Sequence, residues 1–442
     1  MAVGVQTQIE TPVAGAVARW SLPHRVAFRF ACCYLLLYMA PDPPGRFDLI
    51  DVIPGGSFIG KAYGGLWHKL VPWVAIHVFH LTGKVTTYFP TGSGDTTLDY
   101  IQNLLFVVFA ALATIVWSAI DYRRTEYRRL HSWLRLAVRY TLAFTMFGYG
   151  LDKVFPLQFR FPGFQKLVEP YGEFSPMGVL WYFMGASTAY TIFGGLSEVC
   201  GGALLLFRRT VSLGAMVSFA VLLNIVMMNF CYDVPVKLYS TNLLLMAVFL
   251  LLPDLRRLVN FLVLNRAAGP VDLSPPRFEH RRLRIASVVF QVLFVGYFLY
   301  GEISGGWKAY RQTYVHPQRP ALYGLYDVEA FTLNGRELPP LLTDNTRWRR
   351  VLVQSPASIG IQMMDGWPPK NYTAAYDASR NSVTLTPPGS KDKNVFTYSR
   401  PDADHVILSG DALTVKLRRL DTSKFLLVNR GFHWINELPF NR

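Results

Sequence analysis

The sequence predicts an all-α polytopic membrane helix bundle of about seven spans, followed by a small all-β antiparallel sandwich or barrel. Three observations carry this expectation. The 442-residue chain is 51% hydrophobic and 17% charged, too apolar and too long for one ordinary soluble domain. Long apolar runs recur as far as Ile303, and beyond Gly305 they give way to short alternating segments bounded by turn residues. The net charge of +15, from 44 Lys+Arg against 29 Asp+Glu, is placed by this pattern in loops flanking membrane helices, with no nucleic-acid surface expected.

Met1 to Trp20 lacks the basic, apolar and small-residue regions of a signal peptide, so no cleaved leader is expected. The first span is Val26 to Ala40, stopped by Pro41-Asp42-Pro43-Pro44, with Arg29 expected to snorkel to the interface. Between it and the second span, Gly64 to His80 contains Pro72 and three imidazoles. It is too polar to cross and reads as an interfacial or kinked helix. Tyr100 to Ile120 is the cleanest span, its length matching the ~20 apolar residues that cross a hydrocarbon core. The third to seventh spans follow at Leu136 to Phe155, Ala186 to Phe207, Val211 to Phe230, Ser240 to Leu255 and Ile285 to Ile303.

Basic residues orient these spans, because short loops rich in Lys and Arg stay cytoplasmic. With the amino terminus inside, the inner segments hold Arg19 and Arg25, then Arg123, Arg124, Arg128, Arg129, Arg135 and Arg139. Arg208 and Arg209 follow, then Arg256, Arg257, Arg266, Arg277, Arg281, Arg282 and Arg284. The outer loops carry only Arg46, Lys61, Lys69, Lys84, Arg160, Lys166 and Lys237. An odd number of spans leaves the carboxyl-terminal domain outside.

In that domain, strands are expected at Leu322 to Leu333, Val351 to Met363, Ser382 to Leu385, Val395 to Tyr398, Val406 to Leu408, Leu413 to Leu417 and Phe425 to Val428. Asn334-Gly335, Asp365-Gly366, Asp377 to Asn381, Pro387-Pro388-Gly389 and Ser409-Gly410-Asp411 supply the turns. The resulting division is 1–99 for the first span and external segment, 100–134 for the second span and basic loop, and 135–266 for a four-helix core. Residues 267–304 form a linker and last span, and 305–442 the external β domain.

Glu198, within an apolar helix and roughly at its midpoint, is the foremost candidate for chemistry. A carboxyl there costs about 3 kcal/mol to insert, so it faces the bundle interior with a partner or a function. Gly194, Gly195, Gly201 and Gly202 flank it and admit a close helix or a flat ligand. Asp152 and Lys153 end the third span, Asp233 and Lys237 follow the fifth, and Asn224 sits deeper. Together they outline a polar funnel for protons, a quinone or a thiol; the competing reading is interfacial charge with interhelical amides. The four cysteines offer no CxxC pair and no zinc spacing. Cys32, Cys33 and Cys200 read as small packing residues and Cys231 as the thiol to test for reactivity. His68, His77 and His80 read as surface-helix residues, and no metal site is expected. Trp348 with Arg347, Arg349 and Arg350, and Phe432 and Trp434 near the end of the chain, read as aromatics filling the β domain with arginines on its surface or against lipid phosphate.

The motifs GYGLDKVFP, YTIFGGLSEVCGGALLLFRR, NFCYDVPVKLYS and LLLMAVFLLLPDLRRL, within Leu142 to Arg266, resemble the DoxX family of bacterial membrane proteins. The resemblance implies a core of four transmembrane helices in a bacterial inner membrane. It also implies a redox setting, with relatives described as the membrane subunit of a thiosulfate:quinone oxidoreductase or as partners of thiol-redox and superoxide-handling proteins. The expected function is accordingly the membrane component of a quinone- or thiol-linked redox system, with the lipid bilayer and a redox protein as partners and a quinone as cofactor. Two alternatives are a non-catalytic scaffold whose external β domain recruits a partner, and a transporter of a small or lipidic molecule, against which the absence of inverted-repeat spans counts.

Overall fold

A computed structural model describes residues 19–40, 56–81, 91–270 and 280–441. The Pro41-to-Pro44 stop, Arg46, Lys84 and Arg277 lie outside the described residues. The chain divides into two compact units, Met1–Tyr149 with Ser197–Tyr297, and Gly150–Leu196 with Phe298–Arg442.

The helices are α1 (Leu22–Met39), α2 (Gly56–His77), α3 (Thr97–Ile120), α4 (Arg128–Val154), α5 (Phe164–Leu167), α6 (Pro176–Ala186), α7 (Thr188–Leu206), α8 (Val211–Cys231), α9 (Lys237–Leu251), α10 (Leu255–Leu262), α11 (Arg281–Tyr310) and α12 (Leu426–Asn429). Every expected span is helical. Five helical stretches are long and apolar enough to cross a membrane among the described residues: Thr97–Ile120, Thr188–Leu206, Arg208–Cys231, Lys237–Leu262 and Arg281–Val315. Their length and composition are those of membrane-spanning helices. The expected first and third spans, α1 and α4, fall short in apolarity, because His24, Arg25 and Arg29 dilute the one and Arg128, Arg129, Arg135, Arg139, Asp152 and Lys153 the other.

Local sequence explains the helix ends. Ser21 accepts from the His24 N–H at the start of α1, and Thr96 and Asp99 form a reciprocal capping box on α3. α2 continues through Pro72 and buries Trp67, Val71, Val74 and Ala75, while Phe58, Leu66, Trp73 and Ile76 stay exposed. Trp67 meets Phe106 edge to face at 4.9 Å, a geometry worth about 1 kcal/mol beyond its area. The core of the first unit mixes large aromatics such as Phe28, Trp67 and Phe106 with the fully buried Val138, Leu142, Ala143, Ala215, Met246 and Ala247.

Arg29 corrects the snorkelling expectation. It is 1% exposed, and its guanidinium donates to the Tyr127 hydroxyl, to Ser118 Oγ at 2.8 Å and to the Asp121 carbonyl at 2.9 Å. Three local acceptors replace the water it would otherwise reach for.

The second unit contains an antiparallel barrel. Its strands are β1 (Gly324–Leu333), β2 (Arg336–Glu337), β3 (Trp348–Ser355), β4 (Ser358–Met363), β5 (Lys370–Asp377), β6 (Ser382–Thr386), β7 (Asn394–Ser399), β8 (His405–Ser409) and β9 (Leu413–Arg419). Sequential neighbours pair from β3 to β9, β1 pairs with β3, and β9 returns to β1, so eight strands close and the two-residue β2 hangs on the end of β1. Closure removes the exposed strand edges that an open sheet would present. Asn334 and Gly335 turn between β1 and β2 with φ of 52° and 75°, the left-handed pair that a tight hairpin demands. Phe331, Trp348 and Phe396 fill the interior, with Trp348 6.0 Å from Phe396 in an edge arrangement.

Several expectations change here. Gly305 and Gly306 lie inside α11, where the bare Gly306 backbone receives the Phe155 ring. Val351 to Met363 is two strands, broken at Pro356, which has no N–H for a continuing ladder. β5 was not expected, because its side chains are mostly exposed and only Ala374 is buried. Phe425 to Val428 is helical, not a strand: Phe425 is the N-cap of α12 and Leu426 to Val428 lie within it. Arg347 is buried and donates to main-chain carbonyls, including Leu338 at 3.0 Å, while Arg350 pairs with Asp327 at 2.9 Å. Phe432 and Trp434 do not fill the barrel; they are 77% and 91% exposed.

Candidate functional site

In the first unit, Glu198 is 2% exposed on α7. Gly195, Glu198, Gly202 and Leu205 recur at helical spacing on one buried stripe of this helix. The stripe is closely covered. A Cβ at Gly202 would lie 2.9 Å from the Ala143 carbonyl oxygen, and one at Gly201 2.7 Å from Ser218 Oγ. Ser218 on α8 is fully buried, and among the described residues its hydroxyl has no hydrogen-bond partner; it packs against Gly201, about one helical turn along α7 from Glu198.

Asp233 and Lys237 form an ion pair of 2.7 Å, as their i, i+4 spacing allows. The same ammonium lies 3.8 Å from Asp95, a residue that sequence reasoning missed. Asp95 also accepts the backbone N–H groups of Lys237 and Leu238 and so starts α9. One turn into that helix, Ser240 accepts from the buried Asn229 amide at 3.0 Å. Further along, Asn242 and Asn103 share the Tyr34 hydroxyl, at 2.5 and 3.0 Å. These amides and phenols were not singled out in the sequence, since a lone Asn in an apolar run signals no specific partner.

Asn224 leaves the expected funnel. It lies on the exposed side of α8, whereas Ser218, Leu222, Val226 and Asn229 mark the buried stripe. The difference is helical phase, and Asn229 is the amide that points inward. Cys231 is a free, exposed thiol, as its place at the end of α8 implied. Cys200 is also exposed, which corrects its reading as a buried packing residue; two positions from Glu198, it falls off the buried stripe. Cys32 is buried and Cys33 half-buried.

In the second unit, Lys153 is 7% exposed and its ammonium lies 6.0 Å from the Phe159 ring centre. Asp152 is half-buried, and its backbone carbonyl accepts the N–H groups of Leu157 and Gln158. A Cβ at Gly195 would lie 2.5 Å from the Gly150 carbonyl oxygen and 2.8 Å from Lys153 Cβ, so α7 and the end of α4 touch backbone to backbone. At one mouth of the barrel, a cleft of about 940 Å³ is lined by Arg319, Tyr323, His405, Arg418, Arg419 and Lys424 among others.

His405 bridges Asp402 at 2.9 Å and Glu329 at 3.4 Å. The hydrogen bond to Asp402 and the two carboxylate charges raise its imidazole above the ordinary value. Glu329 stands at the irregularity in β1 between Val328 and Ala330, which turns its side chain towards Lys416, Arg418 and His405. The Lys416 hydrogen bond first, and then the surrounding positive charge, hold its carboxyl below the usual range. His77 Nδ1 lies 2.9 Å from the Trp73 carbonyl oxygen. Among the described residues, no three His, Cys, Asp or Glu side chains are grouped to hold a metal ion.

The chain is similar to a Bacillus subtilis (strain 168) protein described as uncharacterized protein YwoB. The two are 34% identical over 128 residues, which cover 27% of this chain and 75% of the Bacillus protein. No family model matches the chain, and no solved structure matches it at a significant level.

Proposed function

This chain belongs to the family of the Bacillus subtilis protein YwoB, whose description carries no activity, and from its own residues we propose that it is the membrane component of a quinone- or thiol-linked redox system. In this reading a DoxX-like four-helix core crosses a bacterial inner membrane within a seven-span chain. The arginine-rich connections are cytoplasmic, and the barrel is on the opposite side. The observation that carries the proposal is Glu198, a carboxyl 2% exposed on an otherwise apolar helix. Buried carboxyls within apolar spans mark proton and substrate paths. Oxidation of two thiols to a disulfide releases two electrons and two protons, and reduction of a quinone to a quinol takes up two of each. A buried carboxyl is a station for those protons, with Asp233 and Lys237 of the same unit as polar groups through which protons or reactant reach it. The test is thiol-to-quinone electron transfer in membranes that contain the chain. A rate no higher than in membranes lacking it contradicts the proposal.

The filled barrel interior favours a second reading, a non-catalytic scaffold. With Phe331, Trp348 and Phe396 inside, any partner of the barrel meets its outer surface. Removal of residues 316–442 then abolishes recovery of an external protein with the membrane part; retained recovery contradicts this reading.

A further inference from the structure

Arg139 is 6% exposed on α4, and its Nε has no hydrogen-bond partner among the described residues. A guanidinium does not give up its proton in a protein, so burial cannot neutralise it. The Tyr140 ring, 4.8 Å from the guanidinium carbon, offers a quadrupole but no counter-charge. Its electrostatic partners are the neutral Tyr140 side chain, which also hydrogen-bonds it, and Arg208 and Arg135, both of like sign. Asp254, the carboxylate of this cluster, is already committed. Its Oδ2 accepts from Arg135 at 2.9 Å and from Ser212 at 2.6 Å, and its Oδ1 from Arg257 at 3.1 Å. Two arginines therefore share this carboxylate, and among the described residues the buried Arg139 has no anion of its own. Phe207, Leu213 and Leu252, neighbours in sequence of Arg208, Ser212 and Asp254, expose large apolar surfaces beside the charges.

We propose that Arg139, Arg135 and Arg208 bind the phosphate of an anionic phospholipid whose acyl chains lie along those apolar residues. A tetrahedral oxyanion matches the guanidinium fork, and basic pockets between membrane helices take such headgroups. The lipid is favoured over free phosphate because the charged group and the apolar surface are contiguous.

The test uses the full chain, purified in mild detergent and stripped of lipid. Phosphatidylglycerol, phosphatidylcholine and inorganic phosphate are each titrated, with bound lipid counted by native mass spectrometry and the unfolding temperature recorded. Phosphatidylglycerol is expected to bind about tenfold more tightly than phosphatidylcholine, and each of Arg139→Gln and Arg208→Gln to weaken it about fivefold. Arg208 is exposed, so its variant decides the matter if Arg139→Gln does not fold. Equal binding of the two lipids, or unchanged phosphatidylglycerol binding by the folded variants, overturns the site. An equal stabilisation by inorganic phosphate overturns the lipid assignment.

Discussion

Asp95 caps a helix that begins 142 residues further along the chain: its Oδ2 accepts the Lys237 N–H at 2.7 Å and its Oδ1 the Leu238 N–H at 2.9 Å. Two of the N–H groups that a helix start leaves unpaired are met by one carboxylate. Asp95→Ala is expected to lower stability by about 1–2 kcal/mol, and Asp95→Asn, which keeps one acceptor oxygen and turns an NH2 towards the second N–H, to restore only part of it. Thermal unfolding in detergent measures both. Lys237→Gln costs less than about 1 kcal/mol, because its closer partner Asp233 is 83% exposed and solvent screens the pair.

Tyr127 completes the Arg29 site by accepting from Nε at 3.0 Å and Nη2 at 2.7 Å while donating to Asp121 at 2.9 Å. Tyr127→Phe leaves that guanidinium short of an acceptor and is expected to cost about 2–3 kcal/mol. Arg29→Met, which removes the charge and keeps most of the volume, is expected to cost less than Tyr127→Phe. Unfolding midpoints of the two variants decide the order.

Gly202 and Gly194 differ in what a methyl group meets. At Gly202 it would sit 2.9 Å from the Ala143 carbonyl oxygen, and at Gly194 nothing comes closer than 3.9 Å. Gly202→Ala is expected to destabilise by about 1–3 kcal/mol. Gly194→Ala is expected to be neutral or to stabilise by up to about 1 kcal/mol. Thermal unfolding separates them.

The helices were legible because an apolar run of membrane length has few other uses, and the barrel because its turns carry Asn-Gly, Asp-Gly and Pro-Pro-Gly. β5 was not, since Lys370 to Asp377 buries one residue and shows no apolar alternation. Four apolar residues at Phe425 to Val428 are too few to distinguish period two from period 3.6. Glu198 stood out because a lone carboxyl in an apolar run is costly wherever it points. Asp95 did not, because its partners are backbone groups, which every residue carries. Asn224 and Asn229 were separable only by helical phase, and that phase is set by which neighbours close over α8.

The barrel carries a pH dependence of its own. His405 is raised above 6.5 by its hydrogen bond to Asp402 and by the charges of Asp402 and Glu329, so its contribution is complete below pH 6.5 and is lost as pH rises through the raised value. Asp402 and Glu329 are lowered from 3.8 and 4.5, so theirs is complete above those values and is lost as pH falls through the depressed ones. Hydrogen exchange of β1, β8 and β9 in the full chain, corrected for intrinsic rates, is expected to be slower at about pH 5.5 than at about pH 8.5. His405→Asn is expected to remove the difference.

The central claim is that Glu198 handles protons in a redox reaction within the helical part. Its most direct measurement is thiol-to-quinone electron transfer in membranes carrying Glu198→Gln, which keeps shape and hydrogen bonding but cannot take a proton at that position. The account predicts a rate about a hundredfold below that of the parent chain at equal protein level, with Glu198→Asp in between. A Glu198→Gln rate equal to that of the parent contradicts it.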